Sequence, residues 1–460
     1  MSVFNIPRLL KCNALHGKGR RNKGSSFHFL LVHLFSSKTT NEIPLEAQFK
    51  NPIVAKLWAA RQEAKQRLSL SDTGSTSSTD VSRAAAAVLQ EGRSSSDERR
   101  GRTPSESATE IMYPFSNDLI LREAYQSPWG EMRIGKIMED LDALAGNIAF
   151  NHVFGNPLIV TAAVDRIRTR NRASVQKDLS LSGKVTWVGT SSMEIRMQCT
   201  EVDTQEEWLE AYFTFVTLDP QSKKPVAMPP LLPVTNEERA QFELGALKAQ
   251  AKRVRRKNRL QVGQPLSEDS LKLDQLAASL LQEAGPLLRM PSLADPHSIL
   301  MNRTSMQNAM TAQPQVRNLH NRIFGGFLMR RAFELAYANA YLFGGKRPHF
   351  LEVDDISFDA PVDVGDLLVF NSRILYTKPE GGFLGDYVAN HLKMPLIMVE
   401  VEAWVTEPEK VSARVSNHFY FTFGLPEGTP CRKVLPANID EARRMAMRMT
   451  ADIEQSSLRS

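Results

Sequence analysis

The stretch that decides the fold is NLHNRIFGGFLMRRAFELAYANAY, at residues 318–341. A polar turn leads into Gly325 and Gly326, and the residues that follow are apolar on nearly every face. That pattern is typical of a helix enclosed by other structure. The segment is too short and too charged to span a bilayer. The sequence therefore predicts a buried helix that begins at the two glycines.

The glycine pair has two interpretations. A helix start leaves backbone N–H groups without partners, and glycine has no Cβ to keep a ligand away from them. The helix dipole adds partial positive charge at the same point. Gly325 and Gly326 thus suit a site for a carbonyl oxygen, or for the oxyanion that it becomes. Alternatively, they form a turn that lets the helix pack tightly.

The residues after this helix favour the first interpretation. VDDISFDAPVDVGDLLVFNSRILYT, at 353–377, predicts two strands around a Pro/Gly turn. The strings IFGGFLMR (323–330) and APVDVGD (360–366), with an earlier second copy, resemble the hot dog fold of acyl-CoA thioesterases, in particular the mitochondrial acyl-coenzyme A thioesterase 9 group. The resemblance covers residues 111–235 and 291–430. It implies an α+β protein with a tandem (double) hot dog fold, in which two antiparallel sheets each wrap around a long helix and form an internal pseudo-dimer.

The earlier copy can be seen in the sequence itself. RIGKIMEDLDALAGNIAF, at 133–150, predicts a second, largely apolar helix. VDRI at 164–167 recurs as VDDI at 353–356, an offset of 189, whereas the helices align at an offset of 191. That alignment places Gly135 under Gly326 but Ile134 under Gly325. The first helix start is therefore the weaker candidate for a glycine cradle, by which we mean a helix start whose glycine N–H groups bind a ligand oxygen. The predicted strands of the first copy are 159–168, 179–188, 192–200 and 207–218. Those of the second copy are one strand within 299–313, two strands within 353–377, and the strands 397–405 and 413–423.

The net charge of +6 arises at the N-terminal end. Residues 1–41 hold seven Lys or Arg and no Asp or Glu, so the rest has 57 − 7 = 50 basic against 51 acidic residues. A net of −1 lacks the excess charge of a nucleic-acid binder. The N-terminal composition is that of a transit peptide, with a secretory signal as the rival, and we expect a mitochondrial matrix location with a plastid as second choice. Cys12, Cys199 and Cys431 show no paired spacing, which argues against a disulfide scaffold or a zinc site.

Two further segments lie outside the repeated unit. PIVAKLWAARQEAK, at 52–65, predicts an amphipathic helix that packs through Val54, Leu57 and Trp58. KAQAKRVRRKNR, at 248–259, fits a solvated linker helix, or a site for nucleic acid or CoA phosphates; residues 69–107 predict disorder. The predicted organisation is a transit peptide (1–41), an N-terminal helix and disordered segment (42–110), hot dog domain 1 (111–235), a helical linker (236–290), hot dog domain 2 (291–435), and a C-terminal helix and tail (436–460).

No metalloprotease, Walker or Gly-x-Ser-x-Gly motif appears in the sequence, so the candidate catalytic residues come from the resemblance. Related two-domain thioesterases place an active-site Asn ahead of the glycines and an Asp on the helix. By position these residues are Asn318 in the second copy and Asp142 in the first. The opposite combination is Ser127 with Phe333, which lacks both groups. The resemblance thus implies one working site, shared between the halves, and one vestigial site.

The role of each candidate residue follows from the implied reaction, which is hydrolysis of the thioester of a fatty acyl-CoA to free acid and CoA. Asp142, its pKa raised by burial, would act as general base on water or attack directly. Asn318 would position the water or donate to the thioester, and the N–H of Gly325 or Gly326 would stabilise the oxyanion. No metal or redox cofactor is needed, since CoA is part of the substrate. The acyl chain would lie among Phe327, Phe333 and Leu144.

Other interpretations stay open at the level of sequence. Asp142 also suits a buried acid that bridges two helices, and Asn318 a residue that closes a turn. A catalytically inactive hot dog module that binds acyl-CoA is the alternative function, followed by a hydratase with His320 as base. The acyl-CoA would be the partner, with no membrane span, and the two-domain chain could form a homo-oligomer. Three further expectations concern nearby charged residues. Glu139 and Asp140 are expected at solvent or at the interface, and Glu334 is expected to point away from the position of Phe333. Arg330 and Arg331 are candidates for contact with CoA phosphates.

Overall fold

The computed structural model describes residues 52–59, 61, 100–154, 157–170, 174–260, 268–318, 322–380 and 394–457. All of them belong to one unit, Ile43–Ser460. The predicted transit peptide, His320 and most of the predicted disordered segment lie outside the described residues. Among the described helices, none is long and apolar enough to cross a membrane.

In each copy of the repeat, one long helix is followed by four long strands, in the order that the sequence predicts. The strands are β1 (Thr109–Tyr113), β2 (Leu158–Thr169), β3 (Leu179–Val188), β4 (Ser192–Glu201), β5 (Glu207–Leu218), β6 (Ser298–Leu300), β7 (Met306–Thr311), β8 (His349–Phe358), β9 (Leu367–Lys378), β10 (Leu396–Glu407), β11 (Ser412–Gly424) and β12 (Lys433–Leu435). The helices are α1 (52–59), α2 (Pro104–Ser107), α3 (Leu119–Tyr125), α4 (Ile134–His152), α5 (Asn236–Leu260), α6 (Glu268–Glu283), α7 (Gly285–Arg289), α8 (Gly325–Gly344) and α9 (Ile439–Ser457). Short 3₁₀ turns occur at Pro291–Leu293, Met301–Thr304, Pro314–Val316 and Pro408–Lys410.

Ten strands form one antiparallel sheet in the order β1-β3-β4-β5-β2-β8-β11-β10-β9-β7, and β12 pairs with β6 in a small parallel sheet. The large sheet consists of two five-stranded halves joined by β2 and β8, where Val164 lies opposite Ile356 and Ile167 opposite Val353. Each copy of the repeated Val-Asp-x-Ile motif therefore pairs with the other. The two predicted sheets merge because each supplies the partner for the other's edge strand.

Helices α4 and α8 lie inside the curve of the two halves, as the enclosed apolar pattern predicts. Fifteen of the nineteen residues of α4 are buried. A Cβ added to Gly135 would lie 3.0 Å from Arg330 Cγ, and one added to Gly326 would lie 2.8 Å from Glu139 Cα. The start of each helix therefore meets the second turn of the other. The two helices run side by side in opposite senses, which confirms the predicted tandem hot dog arrangement.

The outer faces of the two halves are covered by helices held through ion pairs. Lys248 of α5 lies 3.5 Å from Glu194 of β4, and Lys252 pairs with Asp165 of β2. On the second half, Arg444 of α9 lies 2.9 Å from Glu400 of β10. Lys252 stays exposed, as the solvated interpretation of the basic run predicts, and Lys248 is half-buried; both also pair with acids on the face of the sheet that this helix covers.

The N-terminal part of the described chain is more ordered than the sequence predicts. Helix α1 is present, and Val54, Leu57 and Trp58 are buried as expected. The predicted disorder is wrong for the described residues 100–107, since α2 buries Ser107 against the first half. The Ser107 hydroxyl accepts a hydrogen bond from Val185 N at 3.0 Å, beside a register shift in β3. A serine-rich composition does not reveal this single buried contact.

Candidate active site

The predicted acid and the predicted glycine cradle meet between the two central helices. Asp142 lies on α4 with 5% of its surface exposed. Its Oδ2 accepts a hydrogen bond from Gly326 N at 2.7 Å, and its Oδ1 accepts one from Thr161 Oγ1 of β2 at 3.0 Å. A carboxylate from the first half is therefore fixed on the helix start of the second half.

Both glycines are required by this close approach. A Cβ at Gly325 would lie 3.0 Å from Asp142 Oδ2, and a Cβ at Gly326 would lie 2.8 Å from the α4 backbone at Glu139. Both distances are shorter than ordinary van der Waals contact, so a side chain would push the helices apart. The two interpretations of the glycine pair are thus compatible, because tight packing is what brings the carboxylate to the helix start.

The two N–H groups at the start of α8 differ in what they do. The Gly326 N–H donates to Asp142 and Gly326 is buried. Gly325 is only half-buried, and no group in the described part of the chain accepts a hydrogen bond from its N–H. A helix start with such a donor suits an oxygen that carries negative charge. The geometry therefore offers a place for a ligand oxygen beside the Asp142 carboxylate.

Burial raises the pKa of Asp142 to about 6, as the sequence predicts for an enclosed acid. The hydrogen bonds from Thr161 and from the Gly326 N–H act in the opposite direction and lower this pKa. The carboxyl group is consequently ionised for the most part at neutral pH, yet basic enough to accept a proton. That combination is what a general base needs.

Asn318 lies in the loop that leads into the same helix start. Phe324 N donates to Val316 O at 3.0 Å and Asn318 N donates to Arg322 O at 2.5 Å, so the loop returns on itself. The side-chain Oδ1 of Asn318 accepts from Arg322 N at 3.1 Å. Asn318 therefore closes a turn, as its alternative interpretation holds, and this bond uses the amide oxygen.

The first half contains the same loop at an offset of 191. Arg133 N donates to Tyr125 O at 2.8 Å, and Ser127 N donates to Glu131 O at 2.7 Å. The Ser127 hydroxyl accepts from Glu131 N at 3.1 Å, as the Asn318 amide oxygen does from Arg322. The loops thus have equivalent backbones, and they differ in whether the turn residue carries an amide.

The start of α4 faces aromatic rings instead of a carboxylate. A Cβ at Gly135 would lie 3.5 Å from the ring of Phe333, the counterpart of Asp142. Thr161 has Phe350 as its counterpart at the offset of 189. The rings of Phe333 and Phe350 meet edge to face with centroids 5.4 Å apart, and Phe421 and Phe423 pack around Phe333. A hydrogen-bonded polar pair in one half is therefore replaced by an aromatic pair in the other.

The remaining polar candidates are engaged within the chain. Arg330 pairs with Glu139 at 3.4 Å and with Glu334 at 2.9 Å, and Arg331 pairs with Glu334 at 2.7 Å. The position expected for Glu139, at the interface between the helices, agrees with the first of these pairs. Both arginines predicted to meet CoA phosphates thus have acidic partners in α4 or α8.

The expectation for Asp140 is wrong. Asp140 is fully buried, and its Oδ2 accepts hydrogen bonds from Tyr125 at 2.5 Å and Tyr113 at 2.9 Å. Burial raises the pKa of this carboxyl group to about 8, although both hydroxyl groups lower it. Nothing in the sequence shows that two tyrosines from β1 and α3 converge on this position of α4.

The residues expected to line an acyl-chain pocket have different surroundings. Leu144 is fully buried in the core, Phe333 lies against the start of α4, and Phe327 is half-buried in the first turn of α8. Their contact with an acyl chain stays a prediction.

Thr161 is the site residue that reasoning from the sequence missed. It could have been found by asking which polar residues of one copy face apolar residues in the other. At the strand offset of 189, Thr161 aligns with Phe350, as Asp142 aligns with Phe333 at the helix offset of 191. Both differences mark the same site.

Comparison with known proteins gives a consistent set of relatives, although no family model matches the chain. The chain is 42% identical over 370 residues to acyl-coenzyme A thioesterase 2, chloroplastic, of Humulus lupulus, covering 76% of this chain and 81% of that protein. It is 34% identical over 331 residues to human acyl-coenzyme A thioesterase 9, mitochondrial, covering 70% of this chain and 72% of that protein. Among solved structures, an acyl-CoA hydrolase from Staphylococcus aureus is 24% identical, with a TM-score of 0.31, over 35% of this chain and 94% of its own.

Proposed function

This chain belongs to the acyl-coenzyme A thioesterase family and is a thioester hydrolase, and from that premise we propose that it hydrolyses fatty acyl-CoA at one composite site. The site consists of Asp142 from the first half and of Asn318, Gly325 and Gly326 from the second. The observation that carries the proposal is the hydrogen bond of 2.7 Å between the Asp142 carboxylate and the Gly326 N–H.

Asp142 is the general base of the proposed reaction. With a pKa of about 6 it is ionised at neutral pH and takes a proton from a water molecule, whose oxygen attacks the thioester carbonyl carbon. The tetrahedral intermediate then expels the CoA thiolate, which recovers the proton from the Asp142 carboxyl group. The products are the free acid and CoA thiol, and no metal or redox cofactor takes part.

The two glycine N–H groups have separate roles in this mechanism. Gly326 holds the Asp142 carboxylate and fixes its direction, and Thr161 holds the other oxygen of the same group. Gly325, at the half-buried end of the helix, donates to the carbonyl oxygen as negative charge builds on it. Asn318 contributes its amide N–H to the water or to the thioester.

The counterpart site at Gly135 is proposed to be vestigial. Phe333 and Phe350 cannot accept a proton or bind water in the places of Asp142 and Thr161, and Ser127 has no amide. A general base and an amide donor are both absent from this described part of the chain. In this proposal the duplicated chain has one catalytic site, and both halves contribute residues to it.

The proposal extends to location. The relatives reported above are named as mitochondrial or chloroplastic, and residues 1–41 are basic and free of acids. We therefore favour a mitochondrial matrix address, with a plastid second. Residues 1–41 fused to a fluorescent protein should accumulate in mitochondria, and a fusion that stays in the cytosol would contradict this address.

The catalytic assignment is tested by comparing Asp142→Asn with Asp140→Asn. Both aspartates are buried on the same helix, but only Asp142 reaches the Gly326 N–H. Loss of a general base typically costs about 10²–10⁴-fold in rate. We expect Asp142→Asn to lose at least about a hundredfold in kcat, measured as release of CoA thiol from a panel of acyl-CoA chain lengths, and Asp140→Asn to stay close to wild type.

Asp140→Asn is an informative control because the raised pKa of Asp140 favours a protonated carboxyl group at neutral pH. Asparagine resembles that protonated group, so the substitution changes little at this position. Equal losses in the two variants would mean that helix α4 has been disturbed. Wild-type turnover by Asp142→Asn would refute the assignment.

A further inference from the structure

Helix α1 packs on the catalytic centre from a distant part of the sequence. Residues 62–99 separate it from the next described segment, yet Ile53 and Val54 are each only 1% exposed. The carbonyl of Leu57 accepts a hydrogen bond from Asn147 Nδ2 of α4 at 3.1 Å. The Arg61 guanidinium lies over the ring of Phe150, 5.3 Å from its centroid. Helix α1 is therefore attached to the helix that carries Asp142.

The same segment also contacts the residue in front of the glycine cradle. Trp58 is 6% exposed and meets the ring of Phe324 edge to face, with centroids 5.3 Å apart and an interplanar angle of 86°. Phe324 is the residue immediately before α8, and its carbonyl accepts the N–H groups of Phe327 and Leu328. Helix α1 thus bridges α4 and α8 at the end where the proposed site lies.

Phe324 transmits this contact to the cradle through its ring. A Cβ at Gly326 would lie 2.8 and 2.9 Å from two carbons of the Phe324 ring, so the ring lies directly against that glycine. The Phe324 ring is thus in contact with both Gly326 and Trp58, and a ring in such close packing has little room to move. The position of the Gly325 and Gly326 N–H groups consequently depends on whether Trp58 is in place.

We propose that Trp58 is a positioning residue for the thioesterase reaction, and that α1 is a part of the catalytic unit which holds the glycine cradle against Asp142 through Phe324. The inference rests on the proposed function, since it assigns Trp58 to the cradle described there. It adds a third contributor to the site, supplied from the N-terminal side of residues 62–99. Trp58 touches no substrate atom in this account and acts only through the start of α8.

The test compares Trp58→Ala, Trp58→Leu and Trp58→Phe with Lys56→Ala in the full chain. Lys56 lies on the same helix with its side chain exposed, so its removal controls for changes in α1 itself. A misplacement of a catalytic group by about 1 Å can cost 10²-fold in rate. We expect kcat to fall roughly tenfold to a hundredfold in Trp58→Ala, with KM nearly unchanged, and to recover in Trp58→Phe.

A second readout separates positioning from general loss of stability. The Gly326 N–H lowers the pKa of Asp142, so a displaced cradle shifts the acid limb of the kcat profile to higher pH. We expect this shift in Trp58→Leu, which keeps more buried volume than alanine. The rate of each variant is divided by its folded fraction, which is obtained from a thermal unfolding curve. Lys56→Ala should keep the wild-type profile.

An unchanged kcat in both Trp58→Ala and Trp58→Leu would overturn the proposal, as would equal losses in Lys56→Ala or a loss confined to KM. Asp142→Asn is measured in the same assay. If that variant stays active, the catalytic assignment fails, which is a different outcome from an unaffected Trp58 variant.

Discussion

At the scale of single residues, the proposed site depends on one carboxyl group that accepts hydrogen bonds at both of its oxygens. Burial raises the pKa of Asp142, whereas hydrogen bonds from Thr161 and the Gly326 N–H lower it, and the balance lies at about 6. Without either bond the acid would be more often protonated, and with much less burial it would be a weaker base. The neighbours of this carboxyl group therefore set its pKa close to the value that the proposed general base needs near neutral pH.

The pH dependence of hydrolysis should report this balance. In the proposed mechanism Asp142 works as a carboxylate, so activity should be present above its pKa and be lost as the pH falls through about 6. Replacing Thr161 by valine removes a bond that favours the charged form. A net hydrogen bond of about 1 kcal/mol corresponds to somewhat under one pH unit, so the acid limb of kcat/KM should move up by about that amount.

Thr169→Val provides the matched control for Thr161→Val. Thr169 lies on the same strand, and its hydroxyl donates to Phe350 O at 2.9 Å, remote from the carboxylate. Its acid limb should coincide with that of wild type. A limb that stays in place in Thr161→Val, or moves to lower pH, would show that Thr161 does not tune Asp142.

The sequence predicts the residues of the site unevenly. Asp142 and Asn318 follow from the resemblance to the thioesterase family, carried over by position, and the glycines follow from the helix start that the sequence predicts. Thr161 and Trp58 could not be predicted in the same way. Each reaches the site from an element whose packing partner depends on the tertiary fold, and neither belongs to a local motif.

At the scale of elements, the loops before α4 and α8 provide an internal comparison. The turns closed by Ser127 and Asn318 share their backbone and side-chain hydrogen bonds at an offset of 191. Loop closure therefore needs only a side-chain oxygen at this position. The Asn318 amide adds an N–H donor of the kind that the proposed mechanism uses.

Asn318→Ser separates these two roles. Serine already closes the equivalent turn in the first half, so the variant should keep the loop and the melting temperature of wild type. We expect kcat to fall by about 10²-fold, as for the loss of one transition-state donor, in a thiol-release assay. Ser127→Asn, the reciprocal change, should leave kcat unchanged.

A fall in kcat that accompanies a large fall in melting temperature would assign Asn318 a structural role. Retention of wild-type kcat by Asn318→Ser would remove the amide from the mechanism.

The sequence predicts the long elements well and the short ones poorly. The bounds of β3 and β5 agree with the prediction because alternating apolar residues end sharply at turns. Strand β1 and helix α3 are not predicted, whereas the opening strand predicted within 299–313 is present as β7; the short strand β6 and the 3₁₀ turn Met301–Thr304 before it are not predicted. These short segments acquire their structure from contacts with the larger elements, which a local pattern does not contain.

At the scale of the whole molecule, duplication solves a structural problem and creates a functional asymmetry. Pairing of β2 with β8 joins the two half-sheets, and the opposed helices bring each helix start to the second turn of the other. Two equivalent sites would follow from perfect symmetry. Phe333 and Phe350 fill one of these positions, so the two copies differ at the helix start where the proposed reaction takes place in the other copy.

The measurement that tests this central claim most directly is the number of substrate sites per chain. Wild-type protein would be titrated by calorimetry with a thioether analogue of an acyl-CoA, in which the reactive thioester is replaced so that no hydrolysis occurs. We predict one analogue bound per chain, because one helix start carries the Asp142 carboxylate and the other is filled by aromatic rings. Two equivalent analogues bound per chain would contradict the account.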